Sequence, residues 1–205
     1  KDEKGELIQP WDDAVTMVLT YAEIPYDRLY DTEVLQGKLA EYDWLHLHHE
    51  DFTGMFGKFY ASYSGTAWYR EHVKLMEGLA RQNGFDKVSQ LKLAVAKKIS
   101  EYVIGGGFMF AMCSATDTYD IALAAEGTDI CASVFDGDAI DPNCQSKLDF
   151  SKTFAFQNFQ LITDPGIYEH STIDNSEVTG RRVAPEQDYF TLFDFSAKWD
   201  PVPSM

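Results

Sequence analysis

Residues 105–127 read GGGFMFAMCSATDTYDIALAAEG, and they contain the clearest strand-to-helix pattern of the chain. The three glycines end a long helical pattern, and the apolar run at residues 108–112 is typical of a strand buried on both faces of a parallel sheet. A helical pattern resumes at residues 118–125, after the short segment Cys113, Ser114, Ala115, Thr116 and Asp117. A strand that leads directly into a helix predicts one βα unit of a parallel sheet.

The sequence on the N-terminal side continues this alternation. Apolar residues at helical spacing predict helices, and short apolar or alternating runs predict strands. The expected helices cover residues 10–22, 32–40, 67–82 and 87–104, and the expected strands cover residues 26–30 and 42–48. Helices that alternate with short strands predict an α/β fold with a mainly parallel sheet.

The C-terminal part has a different pattern. Residues 153–162 and 189–195 have the composition of strands, and the polar residues 164–187 between them predict an exposed excursion. Residues 1–9 are too polar to supply the buried strand with which a doubly wound sheet usually opens. We therefore expect a single α/β domain over residues 1–205 that is an internal part of a longer chain.

The composition excludes several classes of protein. The 205 residues carry 17 Lys+Arg against 33 Asp+Glu, which gives a formal net charge of −16. Nucleic-acid binders need clustered basic residues, so we expect no nucleic-acid partner. No apolar run approaches the ~20 residues that span a bilayer, which predicts a soluble chain without a membrane span. The three cysteines form no CxxC motif and leave at least one free thiol, which excludes a disulfide scaffold.

Two loops that follow predicted strands carry reactive side chains. The first, HLHHED, covers residues 46–51, and the second, CSATD, covers residues 113–117. Ligands of open α/β sheets bind beyond the carboxyl ends of the strands. Neighbouring strands would turn both loops towards one crevice, and we expect the functional site there.

Cys113 is the candidate nucleophile of this crevice. A cysteine on a sharp strand-to-helix turn lies at a helix N-terminus, whose exposed amides stabilise a thiolate and an oxyanion. Ala111 and Ala115 stand where such a nucleophile elbow prefers glycine. The alternative is a buried small residue without a chemical role, because cysteine is among the most buried residue types.

The histidine-rich loop supplies the candidate acid–base groups, His49 and Glu50. HLHHED matches no specific metal signature, so no metal or cofactor is predicted, although His46, His48 and His49 are residues that could ligate an ion. In the second loop, Ser114, Thr116 and Asp117 have an alternative role as caps of the next helix. The residues expected to contact substrate are His48, Asp51, Ser114, Thr116 and Asp117.

Four segments carry a resemblance to a known family. They are residues 9–27 (QPWDDAVTMVLTYAEIPYD), 46–52 (HLHHEDF), 105–127, and 189–203 (YFTLFDFSAKWDPVP), so the resemblance covers most of the chain. The sequence resembles bacterial proteins, mostly from Bacteroidetes, that are labelled asparagine synthetase B. The resemblance implies a three-layer, flavodoxin-like sheet of the class I glutamine amidotransferase-like group, related to ThuA-like domains.

The resemblance also implies an activity. Cys113 matches the nucleophile position of that group, whereas the downstream His-x-Glu of its triad is unmatched, because Ser171 and Thr172 follow His170. The chain has neither an N-terminal-cysteine glutaminase nor an SGGxDS motif, which argues against ATP-dependent asparagine synthesis. We expect a hydrolase or an amide- or sugar-modifying enzyme with a small-molecule ligand, an amide or a carbohydrate. The alternative is a non-catalytic ligand-binding or structural domain. The resemblance favours export to the periplasm over a cytoplasmic location.

Overall fold

Two parallel strands carry the fold in the computed structural model, which describes residues 14–173. β1 (Trp44–Leu47) pairs with β2 (Phe108–Ala111), with Trp44 opposite Phe108 and Leu47 opposite Ala111. The amide of Met112 donates to the Leu47 carbonyl at 3.1 Å, so the pairing continues one residue past β2. The expected α/β class is therefore confirmed, with a parallel sheet of two strands within the described residues.

Residues 14–173 also form seven α-helices. Short 3₁₀ turns occur at Lys38–Glu41, Phe56–Lys58, Cys144–Lys147 and Phe150–Lys152. None of the helices in this part of the chain combines the length and the apolar character that crossing a bilayer requires. The helices are α1 (Ala14–Tyr21), α2 (Asp31–Leu35), α3 (Tyr60–Tyr63), α4 (Ala67–Gln82), α5 (Val88–Ile104), α6 (Ala115–Ala124) and α7 (Ser133–Asp136).

The two longest helices follow the predicted pattern closely. α4 begins after Thr66, whose hydroxyl accepts from the Tyr69 amide at 3.4 Å, and it ends before Gly84, which has a φ of +84°. That left-handed conformation is one that glycine adopts without strain. α5 buries Leu91, Val95 and Ile99, with its apolar face against α2 and α6. Helical periodicity is therefore a sound guide here, because each helix has one face against the core.

α6 begins one turn earlier than its sequence pattern indicates. The expected helix starts at Thr118, but the observed helix starts at Ala115. Thr116 and Asp117 therefore lie in the first turn, and Ser114 is the N-terminal capping position. The polar residues obscured this start because Ser, Thr and Asp are common at both loops and helix caps.

Two strand predictions within the described residues are wrong. Residues 26–30 form no regular secondary structure and belong to no sheet, and α2 begins directly after them. Residues 153–162 form no strand either, since only Leu161 makes an isolated bridge, with Ser171. Residues 1–13 and 174–205 lie outside the described part, and so does the strand expected at 189–195.

β2 differs from the prediction of a strand buried on both faces. Leu47 and its neighbours on one face of the pair pack against the core, whereas the side chains of Phe108 and Phe110 are 60% and 48% exposed. On that second face the Trp44 and Phe108 rings lie 6.2 Å apart, and His46 stacks on Phe110 at 5.4 Å. An apolar run indicates that a strand is partly buried, but it does not show whether one face or both faces of the strand pack against other elements.

Asp120 explains why residues 153–156 form a turn rather than a strand. Its buried carboxylate accepts hydrogen bonds from the amides of Phe154, Ala155 and Phe156 at 2.7–2.8 Å. Three consecutive amides that converge on one carboxylate cannot point alternately to two sides, as the amides of a strand do. The carboxylate thus anchors this segment to α6.

Replacing Asp120 with alanine leaves those three amides without their acceptor. We expect Asp120→Ala to lower the free energy of unfolding by about 3 kcal/mol, because hydrogen bonds to a charged acceptor are among the stronger ones. Urea unfolding followed by circular dichroism measures the change. The matched control is Asp149→Ala, which removes an exposed carboxylate that caps Ser151 and lies 3.8 Å from the Lys152 ammonium, at a cost of about 1 kcal/mol. Equal losses in the two variants would contradict the anchoring role.

Candidate functional site

Cys113 lies on the tight turn between β2 and α6, and its backbone is strained. It has a φ of +56°, a region that residues other than glycine seldom adopt, and its side chain is exposed. The Thr116 amide donates to the Cys113 carbonyl at 3.0 Å, which closes the turn into the helix. The strand, the strained residue and the helix follow one another as they do in a nucleophile elbow.

His48, His49 and Glu50 lie beyond the carboxyl end of β1. The rings of His48 and His49 stack with their centroids 3.7 Å apart, and His49 is exposed. The Glu50 carboxylate accepts from the His48 amide at 2.7 Å, which folds the loop back on itself. The loop thus presents an exposed imidazole, while the acid next to it stabilises the loop.

The register of the sheet places the two loops at one edge. Leu47 is opposite Ala111, so His49 and Cys113 each follow that pair by two residues. The buried hydroxyl of Thr118 joins the loops, because its single proton lies between the Ser114 carbonyl, at 2.5 Å from the hydroxyl oxygen, and the Glu50 carbonyl, at 3.1 Å. The histidine loop and the cysteine turn are therefore held side by side.

The other residues expected to contact substrate are divided between this edge and the interior. Thr116 is exposed in the first turn of α6, and Ser114 before it is half-buried. Asp117 is buried on the inner side of the helix. The Asp51 side chain is 9% exposed and bonds within its own loop. The edge therefore carries His48, His49, Ser114 and Thr116 together with Cys113.

Asp51 is the hydrogen-bond centre of the loop that follows β1. Its carboxylate accepts from the Thr53 amide at 2.7 Å, the Thr53 hydroxyl at 2.5 Å and the Gly57 amide at 2.6 Å. His170 Nε2 lies 3.6 Å from Asp51 Oδ2. Burial opposes ionisation, but the charge of His170 and these hydrogen bonds outweigh it and hold the pKa of Asp51 well below its usual value.

Lys58 is a second buried polar anchor, and the sequence analysis missed it. Its ammonium donates to the carbonyls of Ile162, Asp164 and Glu169 at 2.6, 3.1 and 3.0 Å. Burial lowers the pKa of Lys58, although nearby carboxylates oppose that change. A lysine between Gly57 and an aromatic residue in the run GMFGKFY is the one sequence signal for such a buried position.

His170 lies in the stretch that the sequence predicts to be an exposed excursion, yet it is buried. Ser171 beside it is fully buried, so that expectation is wrong for this part of the stretch. The pairing of His170 with Asp51 joins residues that are far apart in the sequence. A local sequence pattern does not predict a contact between residues so far apart in the chain.

The candidate metal ligands of the histidine loop are used in ring packing. His46 stacks on Phe110, and His48 stacks on His49. Among residues 14–173, the one cluster with metal-ligand spacing is elsewhere, where donor atoms of Asp129, Cys131 and Asp136 lie within 4.8 Å of one another. The Lys87 ammonium already contacts this cluster. It lies 2.7, 2.9 and 2.6 Å from carboxylate oxygens of Asp129, Asp136 and Asp138.

The fold and the site define a mixed α/β protein with an exposed, strained cysteine at a strand-to-helix turn. The chain matches no family model, no curated protein and no solved structure in the comparisons with known proteins.

The low pKa of Asp51 predicts how stability depends on pH. In the unfolded chain an aspartate has a pKa of about 3.9. The folded-state pKa is lower. The stabilising contribution of Asp51 is therefore complete above the unfolded-state pKa, and it is lost as the pH falls from there through the folded-state pKa. His170→Gln removes the charge that favours the carboxylate, so the free energy of unfolding of this variant should fall less steeply between about pH 5 and pH 2.

Urea unfolding at a series of pH values measures both slopes. The control is His49→Gln, which removes an exposed imidazole that makes no contact with Asp51 and should keep the wild-type slope. A His170→Gln curve parallel to the wild-type curve would show that the ion pair contributes nothing to acid stability.

Proposed function

We propose that the chain is a class I glutamine amidotransferase-like domain that hydrolyses or modifies an amide or a sugar derivative at the edge formed by the HHED and CSATD loops. Its sheet would be the three-layer, flavodoxin-like one, with β1 and β2 as neighbouring strands. The observation that carries the proposal is the exposed Cys113 with a φ of +56° at the β2–α6 turn. Strain of this kind clusters at active sites, where it fixes the direction of a reacting group.

The chemistry follows from the position of the thiol. The Cys113 thiol gives its proton to His49 or Glu50 as its sulfur attacks the carbonyl carbon of an amide. The carbon–nitrogen bond then breaks, and the leaving amine takes up that proton. Water then attacks the thioester, which releases the acid and restores the thiol. Amides of the first turn of α6 favour the developing oxyanion, since a helix N-terminus carries partial positive charge.

The surrounding residues fit roles in orientation. His48, Ser114 and Thr116 lie at the edge where a substrate would contact them. Asp51 and Asp117 act from the interior, since both are drawn into the protein rather than towards the thiol. No step requires ATP, in keeping with the missing SGGxDS motif. The ligand is a small molecule, and export to the periplasm suits the family resemblance.

A non-catalytic ligand-binding or structural domain is the second candidate. The observation in its favour is that the acids of the HHED loop already have internal partners. Glu50 accepts from the His48 amide, and Asp51 accepts from Thr53 and Gly57. In that case the loops would be a stable frame without a proton-transfer group.

Thiol reactivity separates these two functions. Cys131 and Cys144 are buried, so iodoacetamide should label the folded chain at Cys113 alone. At pH 7 we expect a rate about tenfold above that of N-acetylcysteine, because a helix N-terminus favours the reactive thiolate. Mass spectrometry of the labelled peptides gives the site and the rate. A rate equal to that of the free amino-acid derivative would favour the non-catalytic domain.

Catalysis is tested by release of ammonia from glutamine and of nitrophenol from p-nitrophenyl acetate. Cys113→Ser should lower the turnover of any active substrate by at least about 100-fold. Cys144→Ser replaces a buried thiol away from the edge and should leave turnover unchanged. Turnover that survives in Cys113→Ser would contradict the nucleophilic role.

A further inference from the structure

A pocket outside the cysteine edge has three aromatic residues in its lining. It has a volume of about 290 Å³ and lies between the turn that follows β1 and residues 166–168. Its aromatic members are Phe59, Tyr63 and Tyr168, and the small residues Ala61, Ser62 and Gly166 complete the wall with Lys58. A pocket of this size suits a small ligand or the end group of a larger one.

Phe59 is the centre of the aromatic group. Its ring centroid lies 5.9 Å from those of Tyr63 and Trp68 and 6.0 Å from that of Tyr168. Tyr63 and Tyr168 are 42% and 55% exposed, so part of each ring is open to solvent. Trp68 also packs on Tyr63, at 5.3 Å, and supports both rings from the helix behind them. The faces of such rings carry partial negative charge.

The backbone immediately before Phe59 is strained. Phe56, Gly57 and Lys58 are consecutive left-handed residues, with φ values of 54°, 67° and 56°. A Cβ atom on Gly57 would lie 2.8 Å from Cε2 of Phe59, so the ring needs a glycine beneath it. Asp51 and Lys58 hold this turn through the hydrogen bonds described above. Strain that the surroundings enforce in this way is typical of ligand sites.

The charges around the pocket favour a cation. The Lys58 ammonium has three protons, and all three are directed to main-chain carbonyls inside the protein. Asp164 is exposed beside the pocket, and its Oδ1 accepts from the Gly166 amide at 2.7 Å. Asp164, Asp51 and Glu169 all act electrostatically on Lys58, and His170 acts on Asp51, so three carboxylates face two basic side chains here. The chain as a whole carries a formal charge of −16.

We propose that this pocket binds a quaternary or methylated ammonium group, which would lie against the faces of Tyr63, Phe59 and Tyr168 with Asp164 as its counter-ion. Cations of this kind are large and weakly hydrated, so aromatic faces replace their water at little cost. The site is distinct from the cysteine edge, and the proposal holds whether or not Cys113 is catalytic.

Choline and its carbon isostere 3,3-dimethylbutan-1-ol test the role of the charge. The two molecules have nearly the same shape, but the isostere has carbon in place of the nitrogen and no charge. Isothermal titration calorimetry and ligand-observed NMR on the whole chain should show choline binding about tenfold more tightly than the isostere. Equal affinities, or no choline binding, would overturn the proposal, and binding of methyl glucoside in place of choline would identify a sugar site instead.

Three substitutions locate the binding. Tyr63→Leu should weaken choline binding by about tenfold, whereas Tyr63→Phe keeps the aromatic face and should retain the affinity. Asp164→Asn keeps the acceptor for Gly166 but removes the charge, and it should weaken binding of choline and not of the isostere. The matched control is Tyr21→Leu on α1, a residue that is 94% exposed and does not line the pocket. Unchanged choline affinity in Tyr63→Leu, with its thermal unfolding unaltered, would refute the assignment.

Discussion

The carboxylate of Asp51 determines the path of the chain after β1. It gathers two amides and a hydroxyl from the next six residues, and it meets His170 from the far end of the described chain. Lys58, at the end of the same loop, donates hydrogen bonds to the carbonyls of Ile162, Asp164 and Glu169. One loop therefore supplies an acceptor for amides and a donor for carbonyls. Both groups are buried, so each bond lies where water competes poorly and the loss of a partner is costly.

This loop connects the two regions to which we assign function. On one side it begins with His48 and His49 at the carboxyl end of β1, next to the Cys113 turn, and Thr118 fixes the spacing of the two. On the other side it ends in the left-handed residues that present Phe59. The helices α5 and α6 supply a large share of the apolar core beneath, through fully buried side chains such as Leu91 and Ile121. The frame is thus apolar, while the functional surfaces depend on buried polar groups.

Local pattern was enough to predict the helices α4 and α5, the strands β1 and β2, and the placement of Cys113 between a strand and a helix, because each depends on residues within one or two turns of one another. The errors have a common physical origin. The carboxylate of Asp120 binds three amides of residues 154–156, so these residues form no strand despite their strand-like composition. His170 pairs with Asp51, which is far from it in the sequence. Exposure of Phe108 and Phe110 depends on what covers the sheet, which no strand encodes in its own sequence. Contacts between distant segments produce no periodic pattern in the sequence, so they could not be predicted from it.

The three amides bound by Asp120 have a consequence for the dynamics of the chain. Amide hydrogen exchange is usually slowest in helices and strands, because an amide must break its hydrogen bond before it exchanges. Phe154, Ala155 and Phe156 belong to no regular element, yet their amides bond to a buried carboxylate, as the Gly57 amide bonds to Asp51. We therefore expect these irregular segments to open together with the helix and the loop that hold them. The cooperative unit of this protein therefore follows its buried carboxylates and extends beyond its regular secondary structure.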